Sequence, residues 1–275
     1  MNTTVSFHCS ACGKCCNSPP AMTVPELLHH EDLFVGALGV RRGPAGLGGL
    51  TLATMALDFP SLDTCPARQA DGLCGIHTNR KPAMCGTVPL DPHQADDRQH
   101  VVLFSRTTGA GYIGAECIVP GRREGLPVLV ADGEVADPGY RTQLHGHRGA
   151  LGREMQEWGD AVGALLRGQM APPAAGDVVT LPLVPVLAVL AARSDAARRR
   201  CLRYVQRQRA LLDRKVDEGL ARKHPRDKPV TKEFRAYAAA YERLEAALAR
   251  GGVAATATAA EALRTETYLD AAEAA

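Results

Sequence analysis

Aromatic side chains are scarce in this chain of 275 residues: they make up 4% of it and include one tryptophan. Any core must therefore be built mainly from aliphatic residues and alanine, which excludes an architecture resting on stacked rings. Long apolar runs are missing too. The most apolar stretch, Val178 to Ala192, is short and carries Pro182 and Pro185, so it does not reach the length needed to span a bilayer. No basic segment followed by an apolar run precedes Cys9, so no secretory signal is expected, and a cytoplasmic location follows. Neither sign of charge dominates, with 32 Lys and Arg against 30 Asp and Glu. There is no internal repeat. Hydrophobic residues at 45% and charged residues at 23% exclude a disordered chain, and the length allows a core to form without covalent staples.

What the sequence does have is cysteine, nine in all, eight of them before residue 118. In a reducing compartment an odd number at these spacings argues against a disulfide framework. The opening pattern is Cys9-Ser-Ala-Cys12-Gly-Lys-Cys15-Cys16, followed by Cys65, Cys74, Cys85 and Cys117. Thiolates two residues apart on a tight turn converge on one metal, and Gly13 lets the chain fold back there. The three evenly spaced thiols match the start of the bacterial ferredoxin run, which wraps an iron–sulfur cube and takes its fourth ligand from elsewhere. Neighbouring side chains in extended backbone point to opposite faces, so Cys15 and Cys16 do not easily serve one ion. Eight thiols permit two four-cysteine centres, or one centre with thiols left over. The plain alternative is a set of free buried cysteines.

Beyond the cysteines, the Thr23 to Glu26 helix start, Cys65-Pro66, Gly72-Leu-Cys74-Gly-Ile76, Arg80-Lys81-Pro82 before Cys85, and Pro120-Gly121 after Cys117 complete an ordered motif. Over residues 7 to about 125 it resembles the CxxCxxCC cysteine-cluster family, described as a zinc- or iron-chelating domain with some members labelled iron–sulfur oxidoreductases. The segment is also similar to the metal-binding part of flagellin lysine N-methylases. Two positions depart from the pattern: His77 stands where an aromatic residue is common, and Lys81 separates the usual Arg-Pro pair. The resemblance implies a metal set of Cys9, Cys12, Cys15, Cys16, Cys65, Cys74, Cys85 and Cys117. It implies an iron–sulfur cluster, or zinc in its place, with oxidoreductase activity, a structural zinc module, or methyl transfer to protein lysine as the alternatives.

Other motifs are weaker. Gly109-Ala-Gly111-Tyr-Ile-Gly114 matches a dinucleotide fingerprint on paper, yet Cys117 and Pro120 follow where a helix should begin, so a glycine loop feeding a cysteine is the better reading. His29-His30-Glu31-Asp32 reads as an exposed helix face. His77, three residues from Cys74, is a candidate ligand or, as the better reading, a hydrogen-bond donor beside the ligands, and His145-Gly-His147 a polar turn. Cys201, beside Arg198, Arg199 and Arg200, reads as a small core residue, although flanking arginines lower the pKa of a thiol that is exposed.

Periodicity divides the chain. A helix is expected from Thr23 to about Gly36 or Gly39, a glycine-rich loop over Arg41 to Gly49, and strands over His100 to Arg106 and Leu126 to Ala131. From about Thr142 the period is helical. One stripe runs through Leu151, Met155, Trp158, Val162 and Leu165. A second comprises Leu202, Val205, Leu212, Val216 and Leu220, and a third Phe234, Tyr237, Tyr241, Leu244 and Leu248, opening after Pro229 with Thr231 as its cap. The tail from Val253 is a last helix or a frayed end. The expected fold is α+β and mostly α, with a loop-rich metal-binding region over 1–140 and a helical region over 141–275. Between Arg193 and Arg250 there are 17 Lys and Arg against 8 Asp and Glu. This reads as a solvated helical face, two halves that attract each other, or a surface for an acidic partner; nucleic acid is disfavoured because interleaved aromatics are missing. The expected partner is a protein or small-molecule substrate of unknown identity, with no membrane.

Overall fold

The computed structural model describes residues 4–43, 49–108, 117–251 and 257–271. In chain order the elements are β1 (Val5–Phe7), a 3-10 turn (Lys14–Cys16), α1 (Val24–His29), β2 (Val35–Arg42) and β3 (Leu50–Leu57). Next come α2 (Ala83–Thr87), α3 (Gln99–Thr108), β4 (Ile118–Pro120), β5 (Val128–Ala131) and β6 (Glu134–Val135). The helix α4 (Pro138–Glu154) continues through a π turn (Met155–Gly159) into α5 (Asp160–Arg167). After it come β7 (Val178–Pro182), α6 (Val184–Ala191), α7 (Asp195–Arg222), α8 (Lys228–Ala249) and α9 (Ala259–Asp270). The fold is α+β and mostly α.

Two compact units result: Met1–Pro20 with Ala67–Leu151, and Ala21–Pro66 with Gly152–Ala275. A single break near residue 140, as hydrophobic period suggests, therefore differs from the division in space. The cause is strand pairing. β2 is the central strand of the order β3-β2-β7, and Leu38 pairs with Thr54 on one side and with Leu181 on the other. Segment 21–66 thus joins the helical part of the chain through a partner that no local pattern reveals.

In the first unit, β1 lies inside an antiparallel sheet of order β4-β1-β5-β6, with Phe7 opposite Ile118. Its core holds Val5, Phe7, Leu90, Leu103, Ile118 and Leu144. The expected strand at Leu126 to Ala131 is β5. The expected strand at His100 to Arg106 is instead the helix α3. A short apolar run without alternation does not separate strand from helix. Gln99 decides it from outside the run: its Nε2 donates to the Asp91 and Gln94 carbonyls at 2.7 and 2.9 Å, and its Oε1 accepts from Asp91 N–H at 3.0 Å. This anchor starts the helix, and Leu103, four residues on, shares its buried face.

In the second unit, α1 opens as the sequence predicts. Glu26 Oε2 accepts from Thr23 N–H at 2.8 Å and Thr23 Oγ1 accepts from Glu26 N–H at 3.4 Å, with Pro25 in the first turn. It ends at His29, earlier than Gly36 or Gly39, because those glycines belong to β2. At Gly36 a β-carbon would stand 2.1 Å from the Tyr204 hydroxyl, so only glycine lets α7 approach the sheet this closely. β2 runs through Arg42 into the expected loop; residues 44–48 of that loop, like the glycine motif at 109–114, lie outside the described residues.

α8 buries all five of its expected apolar residues, each contributing about 1.5–3 kcal/mol by leaving water. It starts at Lys228, and Thr231 is not its cap; the Thr231 hydroxyl donates to the Asp227 carbonyl at 2.9 Å. Along α7 the buried face runs through Tyr204, Gln208, Leu211 and Lys215 as well as Val205 and Leu212, whereas Leu220 is exposed. Polar Gln208 and Lys215 hide this face from a hydrophobic count. On the earlier stripe Trp158 and Val162 are buried, while Met155 and Leu165 are exposed. The tail forms α9, started by a capping box between Thr258 and Glu261. Among the described residues no helix is long and apolar enough to cross a membrane.

Candidate metal centre

Seven of the eight candidate ligands belong to the first unit; Cys65, 9% exposed, lies at the edge of the second. None of the nine cysteines is in a disulfide. Cys9 and Cys12 sit on the loop after β1 and are exposed, and Cys15 and Cys16 form the 3-10 turn. The backbone reverses here through two left-handed residues, Ala11 at φ 53° and Gly13 at φ 70°, and Cys16 N–H donates to the Gly13 carbonyl at 2.9 Å. Gly13 has a steric reason as well as a conformational one: a β-carbon there would stand 2.6 Å from the Arg68 guanidinium.

Pairing of β1 with β4 carries Cys117 to this loop. His8 N–H donates to the Cys117 carbonyl at 3.0 Å, and the Ser10 hydroxyl lies 3.5 Å from the Cys117 sulfur. Cys12 is held below the ordinary thiol range, first by the Lys14 backbone N–H and then by the Ser10 hydroxyl, the Cys117 thiol and the Lys14 charge. Cys15 is pushed well up by its contact with the Cys16 thiol and by burial, against a smaller opposing pull from Lys81. Cys15 and Cys16 are therefore in contact with each other, although alternation in an extended chain would separate them; the 3-10 turn removes that alternation. Tyr140, whose hydroxyl burial pushes up to about 12, is near enough to feel Cys9 and Cys15.

Cys74 closes a tight loop in which it pairs with Arg68, the residue that lies across Gly13. Cys85 lies on α2. Seven thiols thus occupy four chain segments of one unit, and two pairs are near enough to influence each other, Cys12 with Cys117 and Cys15 with Cys16. Among the described residues no three His, Cys, Asp or Glu side chains are gathered as a metal-holding group. The donor chemistry nevertheless fits a thiophilic metal: none of these thiols is in a disulfide, and Cys12 is biased towards thiolate. Ser10, Lys14, Arg68, Lys81 and Tyr140 were not candidates from sequence. Ser10 and Lys14 lie inside the cysteine motif, so their backbone and hydroxyl donors were open to inference; the other three arrive through tertiary contacts.

The remaining candidates resolve differently. His30 is buried against Phe34, ring centroids 5.9 Å apart. His77 is exposed, with its N–H donating to the Cys74 carbonyl at 3.1 Å. His147 is buried, its Nδ1 lying 3.4 Å from the Thr87 hydroxyl, and His145 faces Asp96 at 3.4 Å. Cys201 is fully buried, and burial pushes its thiol up to about 12 in spite of Arg200 and Arg203, which fits a core residue rather than a reactive one. The basic segment finds acids within its own unit: Arg200 pairs with Glu31 at 3.0 Å, Lys215 with Asp58 at 2.9 Å and Arg226 with Asp63 at 2.8 Å.

Comparison with protein-family models, with curated proteins and with solved structures finds no match to this chain. The likeness to the cysteine-cluster family therefore stands on the motif residues alone.

Proposed function

We propose that the first unit is a cytoplasmic, cysteine-ligated metal-binding module that carries an iron–sulfur centre and serves an oxidoreductase reaction. The observation that carries this reading is the placement of Cys117 beside Cys12, with Cys12 biased towards the anionic form that binds metal. The ligands come from Cys9, Cys12, Cys15, Cys16, Cys74, Cys85 and Cys117, enough for one four-thiolate set with three thiols to spare. An iron–sulfur centre, when bound, supplies one-electron transfer. The chain's own part is to present thiolates, through the Lys14 amide and Ser10 hydroxyl at Cys12, and to limit water around the less exposed pair at Cys15 and Cys117. Because no three of these side chains are gathered among the described residues, binding draws the four segments together, which couples metal loading to the order of this unit.

Anaerobic purification followed by iron, acid-labile sulfide and zinc analysis, with a visible absorption spectrum, tests the reading. Iron and sulfide in a coloured protein support it. A colourless, zinc-replete protein removes the redox role and leaves a structural zinc module. A chain that binds neither metal under these conditions overturns metal binding altogether, and with it the methylase-like alternative.

A further inference from the structure

Glu154, 4% exposed, stands where three elements of the second unit meet. Val24 N–H, in the first turn of α1, donates to its Oε1 at 3.1 Å. The Tyr268 hydroxyl of α9 donates to the same oxygen. The Tyr268 oxygen in turn accepts from Trp158 Nε1–H at 3.2 Å. Oε2 lies 2.8 Å from Thr54 Oγ1 on β3, and that hydroxyl is also 2.6 Å from the Met22 carbonyl oxygen.

Thr54 has one hydroxyl hydrogen, and a carbonyl only accepts. With the hydrogen on the shorter contact, to Met22, the contact at 2.8 Å places a proton on Glu154 Oε2. A neutral carboxylic acid satisfies every partner: Oε1 accepts twice and Oε2–H donates once. A carboxylate would leave Oε2 and the Met22 carbonyl competing for one hydrogen inside the core, a costly arrangement.

We propose that α9 is a pH-sensitive clasp, held on the π turn while Glu154 carries its proton and loosened when that proton leaves. Other groups at the turn do not supply this proton. Glu157 accepts from Arg264 Nε at 2.5 Å and from the Thr265 hydroxyl at 2.8 Å, both on α9. α1 brings the Val24 N–H to Glu154 and β3 the Thr54 hydroxyl; α6, which packs against the turn, has no titratable side chain. Burial pushes the Glu154 carboxyl up to about 7 from an ordinary 4.5. Docked, the acid keeps between those values a proton that a released, solvated Glu154 gives up. Docking is therefore fully favoured below about pH 4.5 and weakens by about tenfold for each pH unit up to about 7.

Trp158 is the sole tryptophan, so its fluorescence reports the clasp directly. The full chain is titrated from acid to mildly alkaline pH while Trp158 emission and amide exchange over residues 259–270, corrected for intrinsic rates, are followed. One transition is expected, with the opening constant of α9 rising at least tenfold. Glu154→Gln copies the neutral acid, its amide donating to Thr54 and its oxygen accepting from Tyr268 and Val24, so α9 should stay docked and the titration should vanish. An unchanged transition in that variant, or none in the wild type, overturns the proposal. Should the variant not fold, carboxyl carbon NMR of the wild type decides: one glutamate titrating near neutrality is required, and all of them titrating near the ordinary value of about 4.3 defeats it.

Discussion

The Ser10 hydroxyl stands 3.5 Å from the Cys117 sulfur, although 107 positions separate them in the chain. The β1–β4 ladder makes this meeting: Phe7, three residues before Ser10, stands opposite Ile118, the residue after Cys117. If Cys12 and Cys117 belong to one centre, Cys12→Ser and Cys117→Ser should each lower bound metal by more than half in folded, monodisperse protein. Cys201→Ala, in the fully buried core of the other unit, should leave the metal stoichiometry unchanged. Elemental analysis of the three variants side by side checks this, and equal loss in all three would sink the assignment.

Gly13→Ala combines a left-handed backbone at φ 70° with a β-carbon 2.6 Å from the Arg68 guanidinium. The backbone term alone costs about 1–2 kcal/mol, and Arg68 must also move. Lower thermal stability together with weaker metal retention is expected. Gly146→Ala, at a helical position where a β-carbon meets nothing within 4 Å, is the matched control and should be neutral or slightly stabilising. Equal behaviour of the two would show that the turn does not hold the thiols in place.

Acid should weaken the first unit through His147. Burial, with a further push from His93, lowers this imidazole to about 4 from an ordinary 6.5. The folded form keeps it neutral, so its contribution is complete above about pH 6.5. Stability then falls as pH drops towards 4, by up to about tenfold in the unfolding constant per pH unit. Denaturant titrations at several pH values should show this slope, and His147→Gln should flatten it. A slope unaffected by that substitution would assign the acid sensitivity to other groups.

Much of the fold is legible where the signal is local. The capping box at Thr23 and Glu26, the strand at Val128–Ala131 and the stripe of α8 all follow from spacing and side-chain chemistry. The misreadings arise where a distant partner decides the outcome. The spacing carries the first helix to Gly36 or Gly39 and makes a loop from Arg41, but pairing with β3 and β7 makes Val35–Arg42 a strand. The α3 run looked extended, but Gln99 ties its start to Asp91 and Gln94. At the candidate site the cysteine motif marks the thiols, whereas the approach of Cys117 to the Cys9–Cys16 loop depends on the register of β1 and β4. Arg68 over Gly13 and the proton on Glu154 leave no trace in the sequence, because both depend on groups brought together only by folding.

Gln208 joins α7 to the start of β2 through three hydrogen bonds: its Oε1 accepts from Gly36 N–H at 2.9 Å, and its Nε2 donates to the Glu31 and Phe34 carbonyls at 2.8 and 2.9 Å. Gln208→Ala strands all three backbone groups in the core. A loss of about 3 kcal/mol is expected from chemical denaturation, larger than for most surface changes. A loss under about 0.5 kcal/mol would mean that the strand is held by its neighbours alone.

The central place of β2 also sets an order of events during synthesis. Its second partner, β7, follows it by more than a hundred residues, so the three-stranded sheet stays incomplete until Pro182 has been translated. The cysteine-bearing unit needs nothing beyond Leu151. A nascent chain can therefore fold the unit that carries seven of its cysteines while the intervening segment 21–66 still waits for the strand that will complete its sheet.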